Sequence, residues 1–465
     1  MIRPLRIFRH YVSGLVVCLF AGDLLILTAA ATAGFWLPAL GLAAFWPGDP
    51  PFGGKMAVFV ALGLLALYVA GLYEQTSRRR PAEILARAVA AVAMWSVASA
   101  ALAFSLPALR MGRLAWLLGL ALGTAGAAGL RGAMGLLPVS RLRERLLILG
   151  ATAPAERLVR ELEANHPGYE ILGYVDDRPP DEIPVTSGFR LLGSGDRLHE
   201  IATAVEAGTI VVALTERRGA FPTEQILECK LRGIRVEDWP AFYEMLTGKI
   251  CVQHLRPSWL VFSEGFRRTR LTRLLKRVVD LALSCCFLLG GWPVFLLVAL
   301  AIKLDSPGPV FFGQERVGQG GRPFRLLKFR TMVQDAERLT GPVWATQEDP
   351  RITRVGRWLR ATRLDEFPQI LNVLRGEMSF IGPRPERPHF VAQLSKKLPY
   401  YDQRHSIKPG ITGWAQVCYR YGATIEDAEE KLQYDLYYVK NMSPFLDLLI
   451  LVSSIQVVLL GKGAR

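Results

Sequence analysis

The sequence is poor in the residues that build metal sites and disulfide frameworks. Its 465 residues include only six cysteines and six histidines. No two cysteines have CxxC spacing, none shares a metal-ligand spacing with a histidine, and Cys285 adjoins Cys286 inside an apolar run. Structural zinc sites and disulfide scaffolds depend on such spacing. The pattern therefore argues against both.

A glycine-rich nucleotide fingerprint is also missing. From residue 145 onward, short apolar runs such as "EILGYV" and "TIVVAL" alternate with amphipathic segments, which predicts a parallel α/β domain. Its first turn, "GATAPA", has one glycine where a dinucleotide fingerprint has three. Asp176 and Asp177 lie where a ribose-binding acid could sit, but two polar residues ending a strand are the simpler interpretation. We predict a Rossmann-like domain at residues 141–250 with a regulatory or structural role.

Charged residues are scarce as well, at 21%, whereas 51% of residues are hydrophobic and the mean hydropathy is +0.24. This composition is typical of a membrane protein. The net charge of +15 could indicate a nucleic-acid partner. However, lysine and arginine collect on the cytoplasmic side of membrane proteins and beside anionic lipid headgroups. We therefore expect membrane lipid as a partner, and no nucleic acid.

Four long apolar runs open the sequence, at residues 12–37, 56–73, 84–106 and 114–137. Each is near the ~20 residues that cross a bilayer. A cleaved signal peptide would have a shorter apolar region and would not be followed by three more runs. We predict a four-helix transmembrane bundle at residues 1–140.

Arginines mark one side of this bundle. They precede the first run, separate the second from the third and follow the fourth: Arg3, Arg6, Arg9, Arg78, Arg79, Arg80, Arg141, Arg143 and Arg145. The other loops are poorer in positive charge, so both ends of the bundle should face the cytoplasm.

A fifth apolar run, at residues 281–302, follows a linker at residues 251–266. It contains "GGWP", in which Pro293 removes a helix hydrogen bond and the glycines permit a bend. Basic residues flank the run on both sides, so both flanks should face the cytoplasm. We predict a re-entrant helix at about residues 278–303 that enters the membrane, breaks and returns. The shorter run at 446–460 should pack on the domain or lie at the interface.

The stretch "RLDEFPQILNVLRGEMSFIGPRPE", residues 363–386, places two adjacent acids among arginines. Asp365 should cap a helix that runs to about Leu374, with Gly376 beyond its end. Acids at helix starts are commonly solvated surface residues. Here the neighbouring cations suggest chemistry instead.

A carboxylate that attacks a phosphate is an anion approaching an anion, so the site must supply cations. The candidates are Arg360, Arg363 and Arg384, with Lys328 and Arg330 upstream. A second carboxylate can hold Mg²⁺ together with substrate phosphates. Of Asp365 and Glu366, one would attack and the other would hold metal, and spacing alone leaves the assignment open.

At these residues the chain resembles the monotopic phosphoglycosyl transferases, bacterial sugar transferases that prime polyprenyl-linked glycans. The resemblance covers about residues 267–465 and follows a series of motifs in family order: "SPGPVFFGQERVG", "LLKFRTM", "RVGRWLRATRLDEFPQ", "MSFIGPRPE", "IKPGITGWAQV" and "YDLYYVKNMS". The bundle and the α/β domain resemble the additional parts of the large members that initiate exopolysaccharide or capsule synthesis. The linker "HLRPSWLVFSEGF" resembles the branch associated with exosortase-type loci.

The resemblance implies a mainly helical catalytic domain at residues 267–465 that faces the cytoplasm. It implies transfer of a sugar 1-phosphate from a UDP-sugar to polyprenyl (undecaprenyl) phosphate, with release of UMP, through a phosphosugar-aspartate. Asp365 would be the nucleophile, Glu366 the Mg²⁺ ligand, and Arg384 a contact of the nucleotide sugar. Phe367 stands where leucine is usual in this motif. A homodimer is a further implication.

Two other functions stay open at this point. A membrane-tethered nucleotide-sugar dehydratase or epimerase would use the α/β domain, but it needs a glycine-rich fingerprint and a Tyr-x-x-x-Lys pair, which residues 145–251 lack. A non-catalytic scaffold for polysaccharide assembly could retain the same motifs. The sequence does not reveal the transferred sugar, because hydroxyl recognition depends on where side chains lie in space.

Overall fold

The computed structural model describes residues 5–7, 10–39, 52–74, 81–136, 143–166, 168–179, 190–214, 221–254, 262–266, 268–334, 349, 351–419, 422 and 424–460. The chain forms two compact units, one of Met1–Arg6 with Tyr11–Leu246 and the other of Ile7–His10 with Thr247–Arg465. Parts of two predictions lie outside the described residues. They are the linker at residues 255–261 and the arginines Arg3, Arg9, Arg78, Arg79, Arg80 and Arg141.

The N-terminal region contains two short strands and four long helices. The strands are β1 (Leu5–Ile7) and β2 (His10–Val12), and the helices are α1 (Gly14–Ala39), α2 (Phe52–Val69), α3 (Pro81–Ser105) and α4 (Arg113–Leu136). In α1, α3 and α4 the apolar segment is long enough to cross a membrane, whereas α2 is shorter. Its 18 residues rise about 27 Å. All four predicted apolar runs are therefore helical.

A buried polar cluster joins three parts of this bundle. The Asp23 carboxylate in α1 accepts hydrogen bonds at 2.9 Å from both terminal nitrogens of Arg131 in α4. The hydroxyl of Tyr73, which follows α2, donates to Asp23 at 2.7 Å. A charge within a membrane segment needs such partners because hydrocarbon does not solvate it. The cluster fixes how α1 and α4 pack.

The rest of the first unit is an α/β domain. Its strands are β3 (Glu144–Leu149), β4 (Tyr169–Val175), β5 (Leu191–Gly193), β6 (Thr209–Val212) and β7 (Arg235–Asp238), and its helices are α5 (Ala153–Asn165), α6 (Leu198–Ala204), α7 (Thr223–Leu231) and α8 (Trp239–Thr247). The sheet order is β5-β4-β3-β6-β7, and every neighbouring pair is parallel. The strands β3 and β6 are buried, as the apolar runs predicted. The parallel sheet is confirmed.

The second unit is mainly helical. Its helices are α9 (Arg270–Asp305), α10 (Arg354–Thr362), α11 (Gln369–Arg375), α12 (Pro388–Lys397), α13 (Trp414–Cys418), α14 (Ile425–Asn441) and α15 (Pro444–Leu460). Its strands are β8 (Phe311–Val317), β9 (Pro323–Phe329), β10 (Ser379–Ile381) and β11 (Gly410–Thr412). β8 pairs with β9 antiparallel, and β10 pairs with β11 parallel. The core includes Leu436 and Tyr437 of α14 and Leu446 of α15. The predicted helix at 446–460 thus packs on this unit.

Helix α9 is the longest in the described part of the chain and is apolar enough to cross a membrane. It runs without interruption from Arg270 to Asp305, with Pro293 inside it. The predicted bounds of 278–303 were therefore too narrow, and the helix does not break at Pro293. A proline inside a helix removes one hydrogen bond but does not by itself end the helix.

Candidate active site

The acidic pair lies in a single turn of 3₁₀-helix, Leu364–Glu366, between α10 and α11. Arg363 ends α10 in the left-handed conformation, with φ 59°, and reverses the chain direction there. The prediction that Asp365 caps a helix is wrong. Helix α11 begins three residues later, after Pro368, without a side-chain cap, and ends at Gly376 with φ 83° as predicted. Asp365 is therefore free of the usual structural role of an acid at a helix start.

Glu366 is held by two cations. Lys328 Nζ donates to its Oε1 at 2.9 Å, and Arg384 donates to Oε1 at 2.5 Å and to Oε2 at 3.2 Å. Burial acts to raise the pKa of Glu366, but Arg384 and Lys328 outweigh it and hold this pKa well below its ordinary value. Glu366 is thus anionic, and its carboxylate is held in one orientation.

Asp365 has a different environment although it is the adjacent residue. Its closest cation is Lys328, whose Nζ lies 3.9 Å from Oδ2. Among the residues that the structure describes, none donates a hydrogen bond to its carboxylate. Asp365 is buried, and this burial raises its pKa despite the nearby cations, with the charge of Glu366 adding to the rise. The carboxylate therefore keeps its lone pairs available for reaction.

Lys328 reaches the pair because a buried amide ties its strand to α11. Asn372 Oδ1 accepts from Leu327 N at 3.0 Å, and Asn372 Nδ2 donates to Arg325 O at 2.8 Å. Asn372 has no exposed surface. It thereby sets the spacing between β9, which carries Lys328, and the turn that carries the acids. Sequence reasoning missed this residue, because a lone asparagine in a short helix has no distinguishing pattern.

Arg384 is supported from behind by a buried ion pair that was also missed. Arg404 Nη2 donates to the backbone oxygen of Arg384 at 2.9 Å and to Asp435 Oδ2 at 2.7 Å. Arg404 and Asp435 are both buried. The Arg384 backbone is therefore anchored while its guanidinium faces Glu366. Asp435 lies in the motif "YDLYYVKNMS", but nothing in the sequence links it through Arg404 to Arg384.

Two other predicted cations, Arg360 and Arg330, differ in what they contact. Arg360 lies near the pair: it is one of the charges that act on Asp365, and its Nε donates to Thr331 Oγ1 at 2.9 Å. Arg330 is buried and donates to the backbone oxygens of Ser306 at 2.7 Å and Pro307 at 2.9 Å. These bonds satisfy carbonyls just beyond the C-terminal end of α9. Arg330 is thus engaged in holding the fold at this point.

The donor set for a divalent cation consists of the two carboxylates. The described residues contain no group of three or more histidine, cysteine, aspartate or glutamate side chains that could hold a metal ion. Mg²⁺ commonly needs only one or two carboxylates when substrate phosphates complete its coordination. Glu366 accepts three hydrogen bonds, whereas a carboxylate offers about four lone-pair sites. The pair therefore fits Mg²⁺ only in the presence of a phosphate ligand.

In the α/β domain, groups of the chain itself fill the hydrogen-bond acceptor sites of Asp176, the candidate ribose-binding acid. Asp176 Oδ2 accepts from Ala151 N at 2.7 Å and from Arg178 Nη2 at 2.8 Å, and its Oδ1 accepts from the backbone and side chain of Arg178. The Ala151 N–H belongs to the turn where a dinucleotide would place its pyrophosphate. These contacts agree with the structural interpretation of Asp176.

Comparison with known proteins places the chain by its C-terminal region. The family model described as bacterial sugar transferase matches residues 271–461. This range includes the acidic pair and the cations near it, Lys328, Arg360 and Arg384.

Three relatives match with high identity. The UDP-N-acetylgalactosamine-undecaprenyl-phosphate N-acetylgalactosaminephosphotransferase of Aeromonas hydrophila is 39% identical over 300 residues, 64% of this chain and 69% of that one. The UDP-glucose:undecaprenyl-phosphate glucose-1-phosphate transferase of Escherichia coli (strain K12) is 32% identical over 69% of each chain. The exopolysaccharide production protein PSS of Rhizobium leguminosarum bv. phaseoli is 43% identical over 196 residues, 98% of its length.

Proposed function

This chain belongs to the bacterial sugar transferase family, and we propose that it transfers a sugar 1-phosphate from a UDP-sugar to undecaprenyl (polyprenyl) phosphate with release of UMP. The names of the relatives support this reaction. They differ in the sugar, so family membership alone does not select one. The observation that carries the mechanism is the inequality of the two acids: Glu366 is held by Lys328 and Arg384, whereas Asp365 accepts no hydrogen bond among the described residues.

The reaction proceeds in two displacements at one phosphorus. In the first, an Asp365 oxygen attacks the phosphate that bears the sugar, the bond to the UMP oxygen breaks, and UMP leaves. In the second, an oxygen of polyprenyl phosphate attacks the same phosphorus, and Asp365 leaves as a carboxylate. The product is a polyprenyl diphosphate sugar. A covalent intermediate allows a water-soluble donor and a lipid acceptor to react without being bound together.

The cations counter the charge that accumulates around the phosphorus. Lys328 and Arg384 lie on the Glu366 side of the pair, and Arg360 acts on Asp365 from α10. Arginine offers paired donors to phosphate oxygens, and lysine offers a point charge. Glu366 would hold Mg²⁺ with the diphosphate, and the bound ion would supply charge neutralisation. Arg330 stays a prediction as a substrate contact, since its described hydrogen bonds are to backbone carbonyls.

The contacts of α9 support a re-entrant helix. Near its start, Asp280 accepts hydrogen bonds at 2.9 Å from Ser379 Oγ and from Phe380 N. At its end, Asp305 Oδ2 accepts from Val355 N at 3.0 Å. Residues 280 and 305 thus both contact the same unit, which supports the proposal that α9 enters and leaves the membrane on one side as a continuous helix with Pro293 inside it. Large apolar side chains along the helix, such as Leu289 at 78% exposed and Leu297 at 67%, are available to lipid.

We propose that the catalytic domain lies on the cytoplasmic face of the inner membrane, where UDP-sugars are made, and that both ends of the N-terminal bundle face that side, as the distribution of arginines predicts. Single cysteines placed before residue 281 and after residue 302 should then react with an impermeant reagent from the same side. Labelling from opposite sides would exclude the re-entrant topology.

The proposed domain division and biological role follow from the resemblance to the family. We propose the domain division 1–140, 141–250, 251–266 and 267–465, with the Rossmann-like strand order β5-β4-β3-β6-β7 in the second part. The reaction would be the first membrane step of exopolysaccharide or capsule synthesis. The linker motif favours the exosortase-associated branch of the family. The dehydratase or epimerase alternative finds no support among the relatives. A homodimer remains a proposal.

The test is release of UMP by purified full-length protein in nanodiscs with Mg²⁺ and a panel of UDP-sugars. Release with one or more sugars, lost in Glu366→Ala, supports the transferase. A scaffold would release no UMP with any sugar. With donor but no lipid acceptor, mass spectrometry should find a sugar-phosphate adduct on the peptide that contains Asp365. An efficiently trapped adduct on another residue would overturn the assignment of the nucleophile.

A further inference from the structure

The proposed chemistry makes no use of the two glycines in the "GGWP" of α9, although their surroundings differ sharply. A methyl group added at Gly290 would meet no atom within 4 Å. A methyl group added at Gly291 would lie 2.9 Å from Cε1 and 3.0 Å from Cζ of Phe367. Contacts of that length require something to move. Gly291 is therefore a site where the lack of a side chain makes room for a specific neighbour.

That neighbour is the residue directly after Glu366. The Phe367 ring lies 6.0 Å from the Phe287 ring at an interplanar angle of 82°, and 4.9 Å from the Phe295 ring at 61°. Phe287, Gly291 and Phe295 are four residues apart along α9, so they share one face of the helix. The Phe367 ring thus rests on the surface of Gly291 between two aromatic rings.

The two rings beside Phe367 make further aromatic contacts. Phe287 also stacks on Phe380, with ring centroids 5.8 Å apart and an angle of 26°. Phe295 also contacts Phe329, at 5.4 Å, and Phe329 is the residue after Lys328. Phe367 is partly buried and packs against these rings, so displacement of its ring is passed to the neighbouring rings and to its own backbone. The backbone in question carries Asp365 and Glu366.

We propose that Gly291 is a positioning residue: its bare surface seats Phe367 and thereby fixes the acidic pair against the membrane helix. The inference rests on the proposed function only for the chemistry of the acidic pair, and not for how the pair is positioned. The Phe367 ring is accommodated because residue 291 contributes no side chain.

The test compares Gly291→Ala with the matched control Gly290→Ala in full-length protein in nanodiscs. Alanine favours helix over glycine at both positions, so helix propensity cannot separate them. We expect Gly291→Ala to lower kcat for UMP release by about tenfold to a hundredfold, because sub-ångström to ångström misplacement of reacting groups has effects of that order. The KM for the UDP-sugar should change little. Gly290→Ala should stay within about twofold of the wild type.

A second substitution tests whether the loss in Gly291→Ala comes from the contact with Phe367 or from a general disturbance of the helix. Phe367→Leu removes the ring atoms that the new methyl group would strike. The double variant Gly291→Ala, Phe367→Leu should therefore recover to within about threefold of Phe367→Leu alone, which is a coupling between the two sites. Equal losses in the two glycine variants, or an unrecovered double variant with wild-type thermal unfolding, would overturn the inference.

A second measurement does not depend on activity. Hydrogen exchange of the peptide covering residues 363–370 should be faster in Gly291→Ala, unchanged in Gly290→Ala, and restored in the double variant. If the wild type released no UMP from any UDP-sugar, the proposed function would fail, and this exchange pattern would still decide the positioning role. Unchanged exchange in Gly291→Ala would reject it.

Discussion

Two buried aspartates, one in each unit, differ in their hydrogen-bond donors and in the direction of their pKa shift. In the α/β domain, Asp176 accepts four hydrogen bonds, all from Ala151 and Arg178. Burial acts to raise its pKa, but these donors prevail and lower it. In the C-terminal unit, Asp365 accepts none among the described residues, and burial raises its pKa. An acid whose acceptor sites are filled by its own chain holds structure, whereas a buried, unfilled acid beside cations is available to react.

Glu366 shows that the distinction does not follow the boundary between the units. It lies one residue from Asp365, yet cations fill most of its acceptor sites and its pKa is lowered well below the ordinary value. In this respect it resembles Asp176 more than its neighbour. The donors around each carboxylate are therefore what distinguishes the proposed nucleophile from the proposed supporting acid.

The largest effect is expected for Asp365→Asn, which keeps the shape but removes the anionic nucleophile. UMP release should fall by about three orders of magnitude or more, and the covalent adduct should vanish. The melting temperature should not fall, because the substitution removes a desolvated carboxylate that no described donor stabilises. A helix-capping role would instead predict near-normal turnover and a stability loss of about 1 kcal/mol.

A smaller loss is expected for Glu366→Gln. The amide keeps hydrogen-bonding capacity but lacks the charge that Lys328 and Arg384 face, so turnover should fall by about a hundredfold. Turnover should recover in part at high Mg²⁺ if weakened metal binding is the main cause. A Mg²⁺ titration of UMP release measures this. Wild-type turnover at every Mg²⁺ concentration would remove Glu366 from the mechanism.

The pH profile provides a graded test of the Asp365 environment. Because the pKa of Asp365 is raised and the anion attacks, activity should rise with pH through a limb above the ordinary aspartate range. Lys328 lowers this pKa, so Lys328→Met should move the limb to higher pH, whereas Lys328→Arg should leave it in place. The pH dependence of UMP release measures the shift. A limb that moved to lower pH would contradict the assigned electrostatics.

The smallest effect on activity is expected for Asp176→Asn. The substitution leaves the acidic pair untouched, so UMP release should stay within about twofold of the wild type. Stability should fall by about 1–3 kcal/mol, because buried donors lose a charged acceptor. Since the pKa of Asp176 is lowered, its contribution is present above the unfolded pKa and is lost as pH falls through the folded pKa. Thermal unfolding at several pH values measures this, and a large activity loss with unchanged stability would give the α/β domain a catalytic part.

Local patterns predicted the elements well. Apolar runs of membrane length became α1 to α4 and α9, and alternating runs became the parallel sheet. Two details were wrong: Asp365 does not cap a helix, and α9 passes through Pro293 without a break. Both depend on chain geometry that residue spacing does not contain. A left-handed Arg363 moved the pair into a separate 3₁₀ turn, and a long helix tolerates one missing hydrogen bond.

The sequence by itself determined which residue types could act: two adjacent acids, a set of cations before and after them, and apolar segments to keep them at a membrane. Composition and spacing suffice for this because bilayer length and charge neutralisation are properties of residue types. The tertiary structure decided which donor meets which acceptor. Lys328 and Arg384 donate to Glu366, Arg330 donates to the carbonyls beyond α9, and Asp365 has Lys328 3.9 Å away but no hydrogen-bond donor among the described residues. Hydrogen bonding acts over about 3 Å, so only the packing of distant segments could assign each donor to its acceptor.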